Sequence, residues 1–246
     1  MNHATFTFHD SLNYFLARRQ KYQTINQKFN WHRAIKDMIE AIAPPHPEIE
    51  LIVVNGKSVG WDYVVQDGDH VDVYPDFEAV KLQGKIRLLP PYHGRPKFIL
   101  DTHLGRLAAY LRMMGFDTLY ENDYDDDVLA EISATEHRIL LTRDLGVLKR
   151  GIVIYGYFVR NTDPYERLLE ISERYKLADA IEPFGRCMTC NGTLHTIEKE
   201  SVRDLVEADT YANFDDYHQC QSCQKIFWKG SHYEKMQRLI DEVINS

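Results

Sequence analysis

The sequence predicts an α/β protein in three parts: a small mixed sheet with one helix, a parallel sheet with intervening helices, and a cysteine-rich ribbon. Three observations lead to this prediction. Strand patterns surround a single helix pattern in the first third of the chain. Strand and helix patterns then alternate through the middle, and four cysteines near the C-terminal end form two CxxC pairs. Alternating strands and helices are typical of a parallel sheet.

Composition and charge restrict the class of protein. The chain has 246 residues, of which 44% are hydrophobic and 27% charged, as in ordinary soluble domains. No apolar run is long enough for a membrane span, and the first residues lack a signal-peptide pattern. We therefore expect a cytoplasmic protein with no membrane partner. The net charge is -8, and none of the three parts has a basic excess, which disfavours a simple nucleic-acid binder.

The first part carries the signals of a β-grasp fold. Alternation from Ala4 to His9 predicts a strand, and a second extended stretch is expected up to Phe29. Apolar residues at helical spacing from Trp31 to Ile42 predict one helix. Two more strands follow, with a tight hairpin at Asn55-Gly56. The order strand, strand, helix, strand, strand suits a β-grasp domain.

The remaining boundaries follow from composition. We expect the β-grasp domain at 1–87 and a semi-rigid linker at 88–96, where three prolines and a glycine occur. A doubly wound domain is expected at 97–183, with four strands, the last at 152–159, and a helix capped by Asp163. The cysteine-rich part and a C-terminal helix occupy 184–246.

Acidic residues follow three strands of the predicted parallel sheet. Asp101 follows the first strand, Asp144 the third, and Asp125-Asp126-Asp127 the second. Ligands bind at the carboxyl ends of such strands. Carboxylates gathered there would repel one another unless Mg²⁺ or Mn²⁺ bound them, and such a site suits phosphodiester hydrolysis. Helix capping explains Asp101 and Asp126 equally well, so the pattern alone leaves both interpretations open.

The cysteine spacing predicts a structural zinc ribbon. Two CxxC turns bring four thiolates to one Zn²⁺ and leave no open coordination position. A redox pair, unrelated core cysteines, or His218 in place of one cysteine are the alternatives. The 29 residues between the pairs require an inserted element, which Ser201 to Ala208 would supply. The expected ligands are Cys187, Cys190, Cys220 and Cys223.

Five sequence runs carry a resemblance to a known family. They are ILDTHLGRLAAYLRMMGFDTLY, DDDVLAE, RILLTRDLGVLKR, RCMTCNGTL and CQSCQKIFWKGSH. In this order they resemble the Mut-seven C-terminal-type ribonucleases, which are PIN-like nuclease domains with a C-terminal zinc ribbon. The match covers about residues 97–235. The first part resembles the ubiquitin-like domain that precedes this nuclease in bacterial members. It lacks the free Gly-Gly tail of sulfur carriers, so carrier chemistry is not expected.

The resemblance implies a metal-dependent ribonuclease. By position, Asp101, Asp126 and Asp144 would hold Mg²⁺ or Mn²⁺, with Asp127 as the substitute for Asp126. Arg143 would contact the scissile phosphate or pair with a neighbouring acid. A fourth acid is not placed, so the number of ions stays open.

The binding partners are predicted from the same resemblance. Single-stranded or structured small RNA is the expected substrate, and Trp228 offers a stacking face. The alternative is that the basic side chains pair with acids and that Trp228 packs on the ribbon. A protein partner is expected for the ubiquitin-like domain. A non-catalytic RNA- or protein-binding adaptor with a degenerate nuclease fold is the competing function. The expected RNA contacts are Arg106, Arg112, Lys149, Arg160, Arg186 and Lys229.

Overall fold

The computed structural model describes residues 1–245, which divide into two compact units. One unit contains Met1–Tyr92 together with Asp144–Phe158. The other contains His93–Arg143 together with the described residues from Val159 onward. The predicted domain boundaries at 87, 96 and 183 remain predictions. No helix among the described residues has the length and apolar character needed to cross a membrane.

A five-stranded sheet forms the first unit, in the order β2-β1-β5-β3-β4. Its two central strands, β1 and β5, run parallel, and every other pair is antiparallel. A parallel central pair flanked by two hairpins confirms the predicted ubiquitin-like β-grasp architecture. The strands are β1 Asn2–Phe8, β2 Ile25–Phe29, β3 Leu51–Val54, β4 Lys57–Val59 and β5 His70–Tyr74.

Helix α1 (Ile35–Ile42) packs its apolar face on this sheet, and it begins later than expected. Trp31 was predicted to begin the helical pattern, but it lies outside the helix, with a φ of 67° and 87% of its surface exposed. The Ile35 N–H donates to the Tyr63 carbonyl at 2.9 Å, and Ala34 forms a bridge with Val64. Because this pairing keeps the chain extended up to Ala34, the helix cannot start at Trp31.

The predicted hairpin at Asn55-Gly56 is confirmed. Both residues have positive φ, 49° and 79°, as a two-residue turn between antiparallel strands requires. The Asn55 amide also donates to the buried carboxylate of Asp69 at 2.8 Å, which ties the turn to the loop before β5.

Residues 144–158 complete the first unit with helix α4 (Leu145–Leu148) and strand β9 (Gly156–Phe158). The sequence predicted a longer strand over 152–159. Residues 152–155 do not form one, because a turn at Arg150, whose carbonyl accepts from Val153 at 3.0 Å, interrupts the extended chain.

Three parallel strands in the order β7-β6-β8 form the sheet of the second unit. Nearly all their side chains are buried, as expected for a sheet covered on both faces. The Asp163 carboxylate caps α5 by accepting from the Tyr165 and Glu166 N–H groups, as predicted. The elements are β6 Phe98–Leu100, β7 Thr118–Tyr120, β8 Ile139–Thr142, α2 Gly105–Met113, α3 Asp126–Thr135 and α5 Pro164–Tyr175.

An antiparallel sheet in the order β10-β11-β12 forms the cysteine-rich part of the same unit. Helix α6 (Ala208–Asn213) lies between the two cysteine pairs, just beyond the predicted insertion at Ser201 to Ala208. Helix α7 (Tyr233–Ile244) follows the ribbon. The strands are β10 Leu194–Ile197, β11 Tyr217–Cys220 and β12 Ile226–Trp228.

Candidate metal centre and nuclease site

The four cysteines come together at one end of the ribbon sheet. Their sulfur atoms all lie within 4.8 Å of one another. The Sγ atoms of Cys187 and Cys223 are 3.7 Å apart, and those of Cys190 and Cys220 are 3.4 Å apart. Four thiolates around a tetrahedral Zn²⁺ stand about 3.8 Å apart, given Zn–S bonds of about 2.3 Å. The donor set and its spacing therefore fit a closed four-coordinate metal site.

The two CxxC turns have the same backbone design. The first cysteine of each turn accepts from the residue after the second cysteine, Asn191 N to Cys187 O at 2.9 Å and Gln224 N to Cys220 O at 3.0 Å. Asn191 and Gln224 both have positive φ, 68° and 60°. This matched pair of tight turns points all four sulfur atoms inward.

The surroundings of the thiols differ between the two turns. Burial raises the pKa of Cys187 and Cys190. Burial also acts on Cys220, but backbone N–H groups of Cys223 and Ser222 outweigh it and lower the pKa of Cys220 to about 7. A thiol with a lowered pKa becomes a thiolate, the form that binds metal, more readily.

The first CxxC turn is bound to the nuclease sheet by Arg112 of α2. This guanidinium is 5% exposed and donates to the carbonyls of Met188 and Thr189, at 3.3 and 2.9 Å, and to Thr118 O at 2.9 Å. Burial lowers its pKa. Two of its nitrogens, Nε and Nη1, are thus bonded inside the protein, and an RNA contact by Arg112 stays a prediction.

Asp117 forms the second connection between sheet and ribbon. Its carboxylate accepts from Arg138 at 2.9 Å and from the Asn191 amide at 2.8 Å, and Arg186 lies 3.7 Å away. Asn191 Oδ1 in turn accepts from Thr118 N at 2.9 Å. Burial raises the pKa of Asp117, but the bonds from Arg138 and Asn191 outweigh burial and leave it lowered.

Asp101 lies directly after β6 and is 7% exposed. Its Oδ1 accepts from His103 N at 3.0 Å, and its Oδ2 accepts from Arg143 N at 2.9 Å and from the Thr142 hydroxyl. It therefore caps the 3-10 turn Thr102–Leu104, as the capping interpretation predicted. An ionised carboxylate has about four acceptor positions, so one remains available on Oδ1.

The other predicted acids are exposed and lie at helix starts. Asp126 and Asp127 occupy the first turn of α3, and the N-cap residue is Asp125, so the capping interpretation of Asp126 is wrong. Asp144 is the N-cap of α4 and accepts from Gly146 N at 2.6 Å. In residues 1–245, the four cysteines are the one group of three or more potential metal ligands within 4.8 Å of one another. A metal site at the aspartates therefore stays a prediction.

Arg143 uses its side chain to hold the loop after β9. Its Nη1 donates to the carbonyls of Val159, Arg160 and Asn161 at 2.8, 3.0 and 2.8 Å. Arg167 of α5 donates to the same Asn161 carbonyl at 3.0 Å. The loop carbonyls are partners of Arg143 that the sequence did not suggest.

The remaining side chains predicted to contact RNA differ in their exposure and in the partners that they bind. Arg106 is exposed on α2. The Arg160 guanidinium lies 3.9 Å from Glu170, and Lys149 donates to the Glu40 carbonyl at 2.6 Å. Arg186 donates to the Asn191 carbonyl at 3.1 Å. Lys229 pairs with Asp216 at 3.0 Å but is half exposed.

A pocket of about 310 Å³ lies between the ribbon and α7. Aromatic side chains form much of its wall, and the Phe184 and Tyr233 rings pack at a tilt of 31° with centroids 5.1 Å apart. Trp228 is 39% exposed at the pocket. Arg186 and Lys229 also line it, and none of the lining residues within 1–245 carries a carboxylate. The pocket is thus aromatic and basic in a chain that is acidic overall.

Two side chains near these sites are not predicted by any sequence motif. Burial is the largest cause of the lowered pKa of Arg167, and the nearby positive charge of Arg143 lowers this pKa further. The charge of Asp101 acts in the opposite direction. Arg138 is buried against Asp117. Both residues occur on otherwise regular helix or strand patterns, so only their tertiary contacts distinguish them.

The fold and the cysteine group together define a ubiquitin-like domain followed by an α/β domain with a Cys₄ ribbon. Residues 96–240 match the model of the Mut7-C RNAse domain, and residues 1–81 match that of the Mut7-C ubiquitin domain. The chain therefore belongs to the Mut7-C RNAse domain family, which confirms the resemblance drawn from its motifs. No curated protein and no solved structure gives a significant match.

Proposed function

We propose that this protein is a metal-dependent ribonuclease that hydrolyses RNA phosphodiester bonds. The observation that carries the proposal is the match of residues 96–240 to the Mut7-C RNAse domain. The buried carboxylate of Asp101 at the end of a parallel strand supports it, since open parallel sheets bind ligands at that edge. Arg143, whose N–H binds Asp101, directly precedes Asp144 in the sequence.

Asp101, Asp126 and Asp144 are the proposed ligands of Mg²⁺ or Mn²⁺, with Asp127 as the substitute for Asp126. The donor set is all oxygen, which suits these hard cations, and Asp101 keeps one acceptor position on Oδ1. A bound ion would supply Lewis-acid polarisation of the scissile phosphate. The bonds from Thr142, His103 and Arg143 hold the Asp101 carboxylate in one orientation.

Zn²⁺ is the proposed occupant of the cysteine site, with a structural role. Through Arg112 and Asn191, the first CxxC turn is bound to α2 and β7. The ribbon would thus buttress the nuclease sheet and present its own pocket to the substrate.

RNA contact is proposed at the pocket lined by Arg186, Trp228 and Lys229, and at the exposed Arg106. Aromatic faces stack unpaired bases of any sequence, and cations at the same place attract the backbone. The substrate would accordingly be single-stranded or carry unpaired residues. A cytoplasmic location and a protein partner for the ubiquitin-like domain belong to the same proposal.

Cleavage of labelled single-stranded RNA in Mn²⁺ tests the assignment. Asp101→Asn and Asp144→Asn are expected to lower the rate at least about 100-fold, because a metal ligand is lost. Asp123→Asn removes the same charge from an exposed, unassigned position and should cleave like the unaltered protein.

Two results would contradict the proposal. An unaltered protein that binds RNA without cutting it would support the adaptor function instead. Cleavage that is unchanged in Asp144→Asn would refute the assigned carboxylates while leaving a nuclease activity to be explained.

A further inference from the structure

Two buried side chains of the ubiquitin-like domain bind the backbone that follows Asp144. Glu48 is 3% exposed, and its Oε1 accepts from Phe158 N at 2.7 Å. His46 is also buried, and its Nε2 donates to the Val153 carbonyl at 2.8 Å. Both contacts join positions more than 100 residues apart in the chain.

His46 is itself held in place by Glu40. The Glu40 carboxylate lies 2.7 Å from His46 Nδ1, so both ring nitrogens face acceptors. Glu40, His46 and Val153 thus form a chain of hydrogen bonds that runs from α1 to the loop before β9.

Packing around these bonds leaves little freedom to residues 148–158. A Cβ on Gly156 would come within 2.7 Å of Leu148 and 3.4 Å of Pro47. The Phe158 ring contacts Phe15 edge-on, with centroids 5.7 Å apart. The Lys149 ammonium donates to the Glu40 carbonyl at 2.6 Å.

Buried hydrogen bonds of this kind are not expected between an appendage and the rest of a chain, because they are lost when the appendage detaches. A buried carboxylate that loses its partner, or a buried N–H left unpaired, destabilises the folded protein. Appendages usually meet their neighbours through polar, solvated surfaces. Here residues of the ubiquitin-like domain instead form part of the buried surroundings of the segment that begins at Asp144.

We propose that Glu48 and His46 are positioning residues, through which the ubiquitin-like domain fixes the α4–β9 segment and hence Asp144. The inference rests on the proposed function, in which Asp144 is a Mn²⁺ ligand. The ubiquitin-like domain then acts as part of the nuclease framework.

Mn²⁺ binding to the full, zinc-loaded chain tests this inference, with Mn²⁺ alone as the probe. Glu48→Ala should weaken Mn²⁺ affinity at least about tenfold, as losses of residues that support metal ligands do. Glu48→Gln keeps an oxygen that accepts from Phe158 N and should stay within about twofold of the unaltered protein, since affinity follows that support. Glu78→Ala, an exposed change in the same domain, is the control.

Amide hydrogen exchange over 145–158 provides the second readout. Glu48→Ala should raise exchange in this segment while residues 98–142 keep their protection. His46→Ala should act in the same direction, because the Val153 carbonyl loses its donor. General destabilisation would instead raise exchange throughout and leave the Mn²⁺ affinity of the folded fraction unchanged.

The outcomes separate the two proposals. If the unaltered protein binds no Mn²⁺ apart from the cysteine site, the proposed function fails, and the positioning of a metal ligand fails with it. If it binds Mn²⁺ and Glu48→Ala binds equally well, the proposed function stands and the positioning inference is overturned.

Discussion

Trp228 is the residue on which RNA recognition by the ribbon most depends in the proposed function. It ends strand β12, at the edge of the ribbon sheet, and faces a pocket that also contains Arg186 and Lys229. Its indole is partly exposed, while the neighbouring Phe184 and Tyr233 rings pack against each other at a tilt. An unpaired base would find one open aromatic face and two cations there.

Replacing Trp228 by Ala should weaken binding of an unstructured RNA oligonucleotide about tenfold, the cost of one lost base stack. Trp31→Ala is the matched control, because Trp31 is a more exposed tryptophan far along the sequence from the ribbon. Binding is measured by fluorescence anisotropy at one fixed salt concentration. Equal affinity in both variants would exclude the pocket as an RNA contact.

The structural role of Asp117 is not predictable from the sequence. It sits between a buried arginine and the amide of a ribbon residue, and its pKa is lowered because those bonds favour the carboxylate more than burial disfavours it. In the sequence it is one acid among many before a short strand. Its role depends on Arg138 and Asn191, which lie 21 and 74 positions away.

At the level of elements, the ribbon and the nuclease sheet are joined through the first CxxC turn. Arg112 of α2 binds two carbonyls inside that turn, and Asn191 binds the start of β7. A metal ion that holds the turn closed would therefore also stabilise α2 and β7. Loss of the metal should destabilise α2 and β7 as well as the ribbon.

Cys223→Ser should reduce bound zinc from about one ion per chain and lower the thermal midpoint by at least about 5 °C. Exchange at α2 and β7 should rise, because the turn no longer holds Arg112. Ser222→Ala, in the same turn but with no metal-ligand role, is the control. Metal analysis and calorimetry provide the readouts, and full zinc content with an unchanged midpoint in Cys223→Ser would contradict a structural zinc site.

Elements with local signals were predictable, and those set by distant contacts were not. Asn55-Gly56, the Asp163 cap and the paired CxxC turns each depend on residues a few positions apart. The start of α1 was missed because pairing with residues 63–65 holds the chain extended before it. Strand β9 is shorter than its apolar run for a different reason, a turn in which the Val153 N–H donates to the Arg150 carbonyl.

At the level of the whole molecule, the sequence indicated three successive parts. The family matches agree with a ubiquitin-like domain followed by a nuclease domain that includes the cysteine ribbon. What the sequence did not indicate is that residues 144–158 group with the ubiquitin-like domain. Glu48 and His46 resemble ordinary polar residues near a proline turn. Their burial against Phe158 and Val153 is visible only in three dimensions.

The proposed catalysis depends on carboxylates that were assigned from the sequence pattern and the family resemblance. Asp101 has the burial and fixed orientation expected of a metal ligand. Asp126 and Asp144 are exposed at helix starts, where capping accounts for Asp144 but not for Asp126, because Asp125 is the N-cap of α3. A direct view of a bound ion decides between these interpretations.

An anomalous difference map from crystals soaked in Mn²⁺ is the most direct measurement. With a metal-dependent nuclease site, a manganese peak is expected within about 2.5 Å of carboxylate oxygens of Asp101 and Asp144, with Asp126 or Asp127 nearby. The cysteine site, with its own zinc signal, serves as the internal standard. Crystals that show the zinc but no manganese at these aspartates would refute the proposed catalytic site.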